Sequence, residues 1–311
     1  MLRYVLNRAL IAIATMLVLA TATFFLLQLV PGDPFAGPRI TPEVKEKLRA
    51  HYGLDKPLWQ QYIVYMTNIF VRGDFGYSLA KRGVQVNTII RDAFPYSLDL
   101  GIRAMIVSVV FGIFFGVVAA INRGKPMDYF TVILVLIGIS VPSFVVAAFL
   151  QYFLGVYLKL LPVARYDTFR HTLMPSFALS LGTMATLARY MRASMLEVLN
   201  ADFIKTAKAK GLRKHQVIIR HQVRNALLPI LTILGPAIAS VLTGSFIIES
   251  AFAIPGLGRH YVQSMQNLDY PLVLGLTLFF GFFLIVMNFI VDFAYGIIDP
   301  RVRHARDGKG W

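Results

Sequence analysis

The sequence predicts an all-α integral membrane protein with six transmembrane helices. Of its 311 residues, 57% are hydrophobic and only 15% are charged, with a mean hydropathy of +0.63. Soluble domains carry about 25% charged residues. A helix needs roughly 20 apolar residues to span the core of a bilayer. Uncharged stretches of about this length recur along the chain. The chain has no cysteine, which excludes disulfides, thiolate metal sites and thiol catalysis.

Six stretches free of Asp, Glu, Lys and Arg define the expected helices. They are residues 9–30, 104–122, 129–158, 172–188, 226–248 and 271–291. Arg3 and Arg8 precede the first stretch, as in a secretory signal, but it is longer than the apolar region of a signal. Pro31-Gly32-Asp33-Pro34 also follows it where a small-residue cleavage site would stand. We therefore expect an uncleaved first helix, and regard the fourth stretch as short and marginal.

Basic residues determine the expected orientation. With the amino terminus inside, seventeen Lys and Arg lie on the cytoplasmic side and four in the two short outer loops. Nine more lie in residues 31–97, but loops longer than about 60 residues are translocated largely regardless of charge. Both termini are therefore expected in the cytoplasm. The net charge of +15 is then explained by topology and a partner surface, and nucleic acid is not an expected partner.

The segment between the first two helices is expected to be helical and extracytoplasmic. One helix is predicted from Pro42, after the N-cap candidate Thr41, to a terminating Gly53, and another from Pro57. The apolar stripe of the second helix could cap the outer mouth of a pathway, lie in the membrane interface, or only pack the two helices together. The predicted organisation is residues 1–30 as the amino terminus and first helix, 31–93 as the outer segment, 94–299 as a five-helix domain and 300–311 as a cytoplasmic tail.

A long inner loop, residues 194–228, is the most informative stretch, and we call it the basic loop. Residues 189–228 carry nine basic and two acidic side chains. Ala201 to Lys210 favours a helix that Gly211 would end, and a second helix is expected from Lys214 to Leu228. A short exposed helix can lie in a groove of a soluble partner. An alternative explains the loop equally well: its basic residues serve only to set the membrane topology and to contact anionic lipid headgroups.

Two motifs in the basic loop carry a family resemblance. They read Lys205-Thr206-Ala207-Lys208-Ala209-Lys210-Gly211 and Arg224-Asn225-Ala226-Leu227-Leu228-Pro229. They resemble the conserved cytoplasmic EAA loop of ABC importer permeases, with Lys205 in place of the glutamate and Thr206 in place of the first alanine. The resemblance extends along nearly the whole chain through residues 30–34, 51–58, 73–78, 254–260, 269–271, 288–292 and 298–301. Together these resemble the B-type permease subunit of an oligopeptide or dipeptide ABC importer.

This resemblance implies a type I ABC importer permease fold, with residues 94–299 as its permease domain, in the bacterial plasma (inner) membrane. It implies a paralogous C-type permease, two cytoplasmic ABC ATPases and an extracytoplasmic peptide-binding protein as partners, besides peptide and membrane lipid. Lys205 to Gly211 would form the coupling helix that docks on one ATPase during alternating access. The missing glutamate puts one polar contact with that ATPase in question.

ATP hydrolysis is expected outside this chain. The sequence contains no G-x-x-x-x-G-K-[ST] phosphate loop, so ATP and Mg are expected in the partner ATPases and no cofactor in this chain. The six histidines are scattered without a metal-ligand spacing, and no metal site is predicted.

Polar residues within the spans are candidates for a transport pathway. The hydroxyl candidates are Ser140, Ser143, Ser180 and Thr183. They could line a wet path, and hydrogen bonds between helices explain them equally well. Glu249 could meet the binding protein or a peptide amine, or form a structural bond to the turn that follows.

Local patterns within the spans predict two further features. Asp99 and Arg103, four residues apart, are expected to form a structural ion pair on one helix face. Pro142 in the third stretch and Pro236 in the fifth permit bends.

Other functions remain open from the residues alone. A nickel importer would share the same subunit architecture. An ion-coupled secondary transporter would require inverted repeats and ionisable residues at the membrane midplane, and the first, third, fourth and fifth predicted transmembrane helices lack Asp and Glu. An intramembrane hydrolase would require a Ser/His or paired-Asp constellation, and none is visible.

Overall fold

The computed structural model describes residues 2–33, 35, 42–81, 83–242 and 244–298, with side chains except at 2–9, 239 and 291–298. Within these residues the regular structure is helical, apart from one isolated antiparallel bridge between Tyr77 and Gln85. The helices are α1 (Leu2–Gln28), α2 (Pro42–His51), α3 (Leu58–Thr67), α4 (Val86–Ile121), α5 (Pro126–Ser140), α6 (Ser143–Leu150), α7 (Phe169–Leu199), α8 (Asp202–Ala209), α9 (Lys214–Gln216), α10 (Arg224–Leu242), α11 (Phe246–Ala251), α12 (Leu257–Gln266) and α13 (Tyr270–Ile298). Short π-helical segments at Asn68–Arg72, Gln151–Tyr157 and Val217–Val223 continue α3, α6 and α9.

Several of these helices are long and apolar enough to cross a membrane. In the described part of the chain, four segments meet this criterion: Leu10–Gln28, Val86–Ile121, Lys214–Ala251 and Tyr270–Ile290. The bent pair α5 and α6 would make a fifth span. The fourth apolar stretch forms the middle of α7, where Ser, Thr, Gly and Pro lower the hydropathy, and α7 is not among the candidates.

Two of the predicted continuous stretches are broken. The third stretch bends by 105° between α5 and α6, at Val141 and Pro142, so the bend predicted at Pro142 is confirmed. The fifth stretch stays helical through Pro236, which lies inside α10. Its break comes later, around Gly244, whose φ of +90° is in the left-handed region that favours glycine.

One compact unit comprises Met1–Tyr96 and Pro255–Ile285. In it, α2 starts at Pro42, Gly53 has a left-handed φ of +68°, and Pro57 precedes α3, which confirms the two helices predicted for this segment. Thr41, the N-cap candidate of the first of these helices, and the predicted tail at 300–311 lie outside the described residues.

The core of this unit is aliphatic. Its buried members are Val86, Ile89, Ile90, Ala93, Leu257, Leu272 and Leu276. Beside this core, the buried carboxylate of Asp269 accepts hydrogen bonds from the Ser78 hydroxyl and, at 2.9 Å, from the backbone N–H of Leu79. The segment after α3 is thereby tied to the start of α13.

The second unit comprises Ser97–Ile254 and Val286–Trp311. Helix α7 is its centre and packs against α5, α6 and α10. Small residues allow close approach: a Cβ added at Gly116 of α4 would lie 2.6 Å from Cβ of Met191 in α7. The basic loop begins within the last six residues of α7 and ends within the first five of α10, so one long helix connects the packed centre of this unit to the basic loop.

Candidate functional site

The predicted coupling segment forms a short helix and a turn. Helix α8 spans Asp202–Ala209, after Ala201 in an extended conformation. Gly211 follows with a φ of +76°, which few residues other than glycine adopt at low cost. The structure therefore confirms the helix predicted between Ala201 and Lys210, and its termination at Gly211.

Helix α8 has one buried and one exposed side. Ile204 and Ala207 are buried and pack against Val217 of the π-helical segment, forming a small core within the basic loop. The other residues of the coupling motif are exposed: Lys205, Thr206, Lys208, Ala209, Lys210 and Gly211. Ala207 therefore holds the helix in place, and the exposed residues form the surface available to a partner.

The exposed side is basic and contains an aromatic ring. The ammonium group of Lys205 donates to Asp202 at 2.8 Å, one turn earlier on the same helix. Both side chains are strongly exposed, and such pairs contribute little to stability. Phe203, 43% exposed, was not predicted as part of this surface. Its signal in the sequence is an aromatic residue at the start of the predicted helix, between Asp202 and the lysines.

A cavity of about 510 Å³ lies in the second unit, and we call it the bend cavity. It lies where α5 meets α6 and where α10 gives way to α11. Its lining residues are Gly138, Ile139, Val141, Pro142, Ser143, Val146, Ala178, Leu179, Leu181, Gly182, Thr183, Ser240, Val241, Gly244, Ser245 and Phe246. No charged side chain is among these described residues. The lining thus offers hydroxyl groups and apolar residues to a molecule that enters it.

The pathway candidates separate around this cavity. Ser143 and Thr183 line it. Ser180 is buried, and its hydroxyl donates to the carbonyl oxygen of Phe177 at 2.8 Å. Ser140 is exposed at the end of α5 and is not among the lining residues.

Glu249 is fully buried within the unit rather than presented on its surface. Its carboxylate accepts a hydrogen bond of 2.8 Å from the Ser97 hydroxyl, and its backbone carbonyl accepts one of 2.8 Å from the N–H of Ile254. Its oxygen also lies close to Gly244, at the break between α10 and α11. In this chain Glu249 braces the backbone behind the bend cavity.

Two ion pairs lie elsewhere in this unit. Arg103 donates to Asp99 at 2.8 Å, as predicted, and the Tyr166 hydroxyl donates to the same carboxylate oxygen at 2.9 Å. A second pair, Asp128 with Arg192, was not predicted. Its partners are 64 residues apart, and without a fold to bring them together no local spacing indicates the pairing.

Comparison with known proteins identifies the family. A family model described as "Binding-protein-dependent transport system inner membrane component" matches residues 112–304. A second model, for the N-terminal part of such membrane components, matches residues 1–101. The chain belongs to this family. It is therefore a multi-pass inner membrane protein of the binding-protein-dependent transport type, with an all-helical structure.

Members of this transport family resemble the chain along its whole length. The dipeptide transport system permease protein DppB of Bacillus subtilis is 45% identical, covering 99% of this chain and 100% of the relative. The oligopeptide transport system permease protein OppB of Escherichia coli K12 is 40% identical, covering 98% and 100%. Among solved structures, a chain of the inward-facing MetNI methionine ABC transporter has a TM-score of 0.50 at 18% identity, covering 68% of this chain and 95% of that chain. The similarity to the MetNI chain supports the fold alone.

The described part of this family member holds no group of three His, Cys, Asp or Glu side chains arranged to bind a metal ion. The chemistry present is that of a helical scaffold with two distinct surfaces. One is the basic exposed side of α8, and the other is the uncharged lining of the bend cavity.

Proposed function

We propose that this chain is the transmembrane subunit of an ATP-driven importer that moves peptides across the inner membrane by alternating access. The observation that carries the proposal is the full-length match to permeases named for dipeptide and oligopeptide transport. The helical fold and the membrane-capable helices support it. The chain contributes no hydrolytic chemistry of its own, and ATP and Mg belong to partner subunits.

The proposed topology has six crossings of the type I importer permease fold and both termini in the cytoplasm. The crossings are α1, α4, the bent α5–α6 pair, α7, the broken α10–α11 segment and α13. Helix α7 takes the fourth position because its neighbours in the unit cover its polar residues. The excess of basic residues in the inner loops supports the orientation, and residues 31–93 then lie outside.

This topology can be tested by labelling, because the chain has no native cysteine. A cysteine at Phe203 should react with a membrane-impermeant maleimide only from the cytoplasmic side, and one at Trp59 only from outside. Both side chains are exposed, at 43% and 62%. Labelling of both positions from the same side would contradict the proposed topology.

The proposed partners follow from the two surfaces. The exposed side of α8, from Lys205 to Gly211, docks on one of two cytoplasmic ABC ATPases, with Phe203 at the edge of the contact. A paralogous C-type permease completes the pathway, and an extracytoplasmic binding protein delivers the peptide. Ser143 and Thr183 line the pathway, whereas Ser180, Glu249 and the more exposed Ser140 support its walls.

Reconstituted transport tests this proposal. The chain is co-expressed with its candidate partners and placed in proteoliposomes, and uptake of a labelled dipeptide and pentapeptide is measured. We expect uptake that requires ATP, the ATPases and the binding protein together. Uptake by this chain alone under a proton gradient would contradict the proposal, and ATP-dependent uptake of Ni²⁺ but not peptide would replace its cargo.

A further inference from the structure

A partly buried ion pair joins α5 to α7, with the side chain of Arg192 30% exposed. Asp128, in the first turn of α5, is 5% exposed. Arg192 of α7 donates to it through both arms of its guanidinium, Nε to Oδ1 at 2.7 Å and Nη2 to Oδ2 at 2.9 Å. The backbone N–H of Gly124 adds a third hydrogen bond at 3.0 Å. This two-pronged geometry fixes orientation as well as distance between the two helices.

The positions of the two residues give the pair its significance. Arg192 lies about two turns before the end of α7 at Leu199, and α8 starts three residues after that end, at Asp202. Asp128 lies at the opposite end of α5 from Ser140, where the 105° bend forms a wall of the bend cavity. The ion pair therefore connects the helix that enters the proposed coupling helix to the helix that ends at the cavity.

A second contact joins the same two helices near the cavity. A Cβ added at Gly138 of α5 would lie 2.8 Å from Cβ of Ala185 and 3.0 Å from the carbonyl oxygen of Leu181, both in α7. The two helices are thus in close backbone contact near the cavity, and the Asp128–Arg192 ion pair joins them at the other end of α5. Both contacts oppose a displacement of α7 relative to α5.

We propose that the Asp128–Arg192 pair transmits movement of the coupling helix to the bend between α5 and α6, so that both residues act as positioning residues for transport. The inference rests on the proposed function, because it assumes that α8 is driven by an ATPase. Asp99 and Arg103 provide a natural comparison. They form an ion pair within a single helix, with side chains 42% and 36% exposed, and do not connect α5 to α7.

The test uses the complete reconstituted importer carrying Asp128→Asn, Arg192→Gln, Arg192→Lys or the control Asp99→Asn. Uptake and ATP hydrolysis are measured on the same vesicles to give peptides moved per ATP. We expect Asp128→Asn and Arg192→Gln to lower this ratio at least fivefold while hydrolysis stays within twofold. Arg192→Lys keeps the positive charge but not the paired N–H donors of the guanidinium, so it should retain part of the peptide-to-ATP ratio. Asp99→Asn should leave the ratio unchanged.

A distance measurement follows the movement itself. In the cysteine-free chain, spin labels at Ser140→Cys and Phe246→Cys report the width of the bend cavity, and a label at Phe203→Cys paired with one on the ATPase reports docking. On ATP addition, Arg192→Gln should keep the docking distance but lose the change across the cavity. A normal cavity change in that variant, or a normal transport ratio in Asp128→Asn, would overturn the inference.

Two other outcomes are also decisive. If the Asp128→Asn complex fails to assemble, as judged by co-purification of all subunits, the pair is structural and the inference is wrong. If the unaltered complex hydrolyses ATP and changes its cavity distance without moving peptide, the proposed cargo fails. The ion-pair inference is then still judged by the distance measurement.

Discussion

The exposed side of α8 and the bend cavity differ most clearly in charge. The first presents Lys205, Lys208 and Lys210 to solvent, whereas the second is lined by hydroxyls, glycines and aliphatic side chains. A surface that meets one fixed partner can use charge to steer and select that partner. A cavity that passes many different peptides cannot hold a fixed charge without favouring cargo of the opposite sign. The difference is what we expect if the first serves a permanent subunit and the second a variable substrate.

The two regions also differ in how they are held. An isolated helix of eight residues is not stable in water, so α8 depends on the packing of Ile204 and Ala207 against Val217. The bend cavity instead exists because the backbone breaks at Pro142 and near Gly244. Side-chain packing therefore determines the first region, and backbone conformation determines the second. The predictions below test this comparison, starting with the largest effect.

Ala207→Trp should have the largest effect on the basic loop. Ala207 is 4% exposed, and forcing a large ring into a packed core costs about 1–3 kcal/mol or more. We expect α8 to be displaced, with capture of the purified ATPase and peptide uptake both reduced at least tenfold and a lower thermal transition. Ile219→Trp is the matched control, since Ile219 lies in the same loop but is 65% exposed. Normal ATPase capture by Ala207→Trp would show that the small core of the loop does not hold α8.

Gly211→Val should act through the backbone alone. A Cβ at Gly211 would have no neighbour within 4 Å, but its φ of +76° lies in the left-handed region, where a non-glycine residue costs about 1–3 kcal/mol. We expect a loss of stability of that order, and fewer peptides moved per ATP because the end of α8 shifts. Gly211→Asn is the control, because asparagine tolerates this conformation better than valine does. Equal transport ratios in the two variants would exclude backbone strain as the cause.

Sequence patterns predicted more of the helices than of the packing between them. Charge-free stretches found the apolar helices, and alanine and lysine before Gly211 predicted α8 closely, because both are local signals. The break near Gly244 was missed because the more obvious breaker, Pro236, lies within a continuous helix. Whether a proline bends a helix depends on neighbours that the local sequence does not specify.

The same difference between local sequence signals and long-range packing applies to the candidate site. The helix that carries the coupling motif was predicted, but the sequence did not show that Ala207 faces inward, because alanine occurs on both buried and exposed helix faces. The sequence left open whether Glu249 meets a partner or forms a structural bond, and its hydrogen-bond partner Ser97 lies more than 150 residues earlier in the chain. Contacts between residues distant in sequence could not be predicted without the fold.

Thr183→Asp should make transport through the bend cavity depend on the charge of the peptide. A carboxylate among the residues that line the cavity interacts with a charge several ångströms away by about 1–2 kcal/mol, which corresponds to roughly a tenfold preference. We expect uptake of acidic peptides to fall by that factor relative to basic peptides of equal length, while the ATPase remains bound. Thr183→Val, which has a similar shape and no charge, should treat both peptides alike. Unchanged selectivity in Thr183→Asp would mean that peptides do not pass the bend cavity.

Lys205→Ala should give the smallest effect, although it removes an ion pair from the coupling motif. Lys205 and Asp202 are 73% and 93% exposed in their side chains, and such pairs contribute about 0–1 kcal/mol. Asp202 also lies in the first turn of α8, where a negative charge favours the helix by about 0.3–1 kcal/mol whether or not Lys205 is present. Asp202→Ala should therefore lower the thermal stability of the complex more than Lys205→Ala does. If the two variants lose the same stability, the ion pair matters rather than the helix terminus. The exposed side of α8 would then depend on its charge pairing as well as on the packing beneath it.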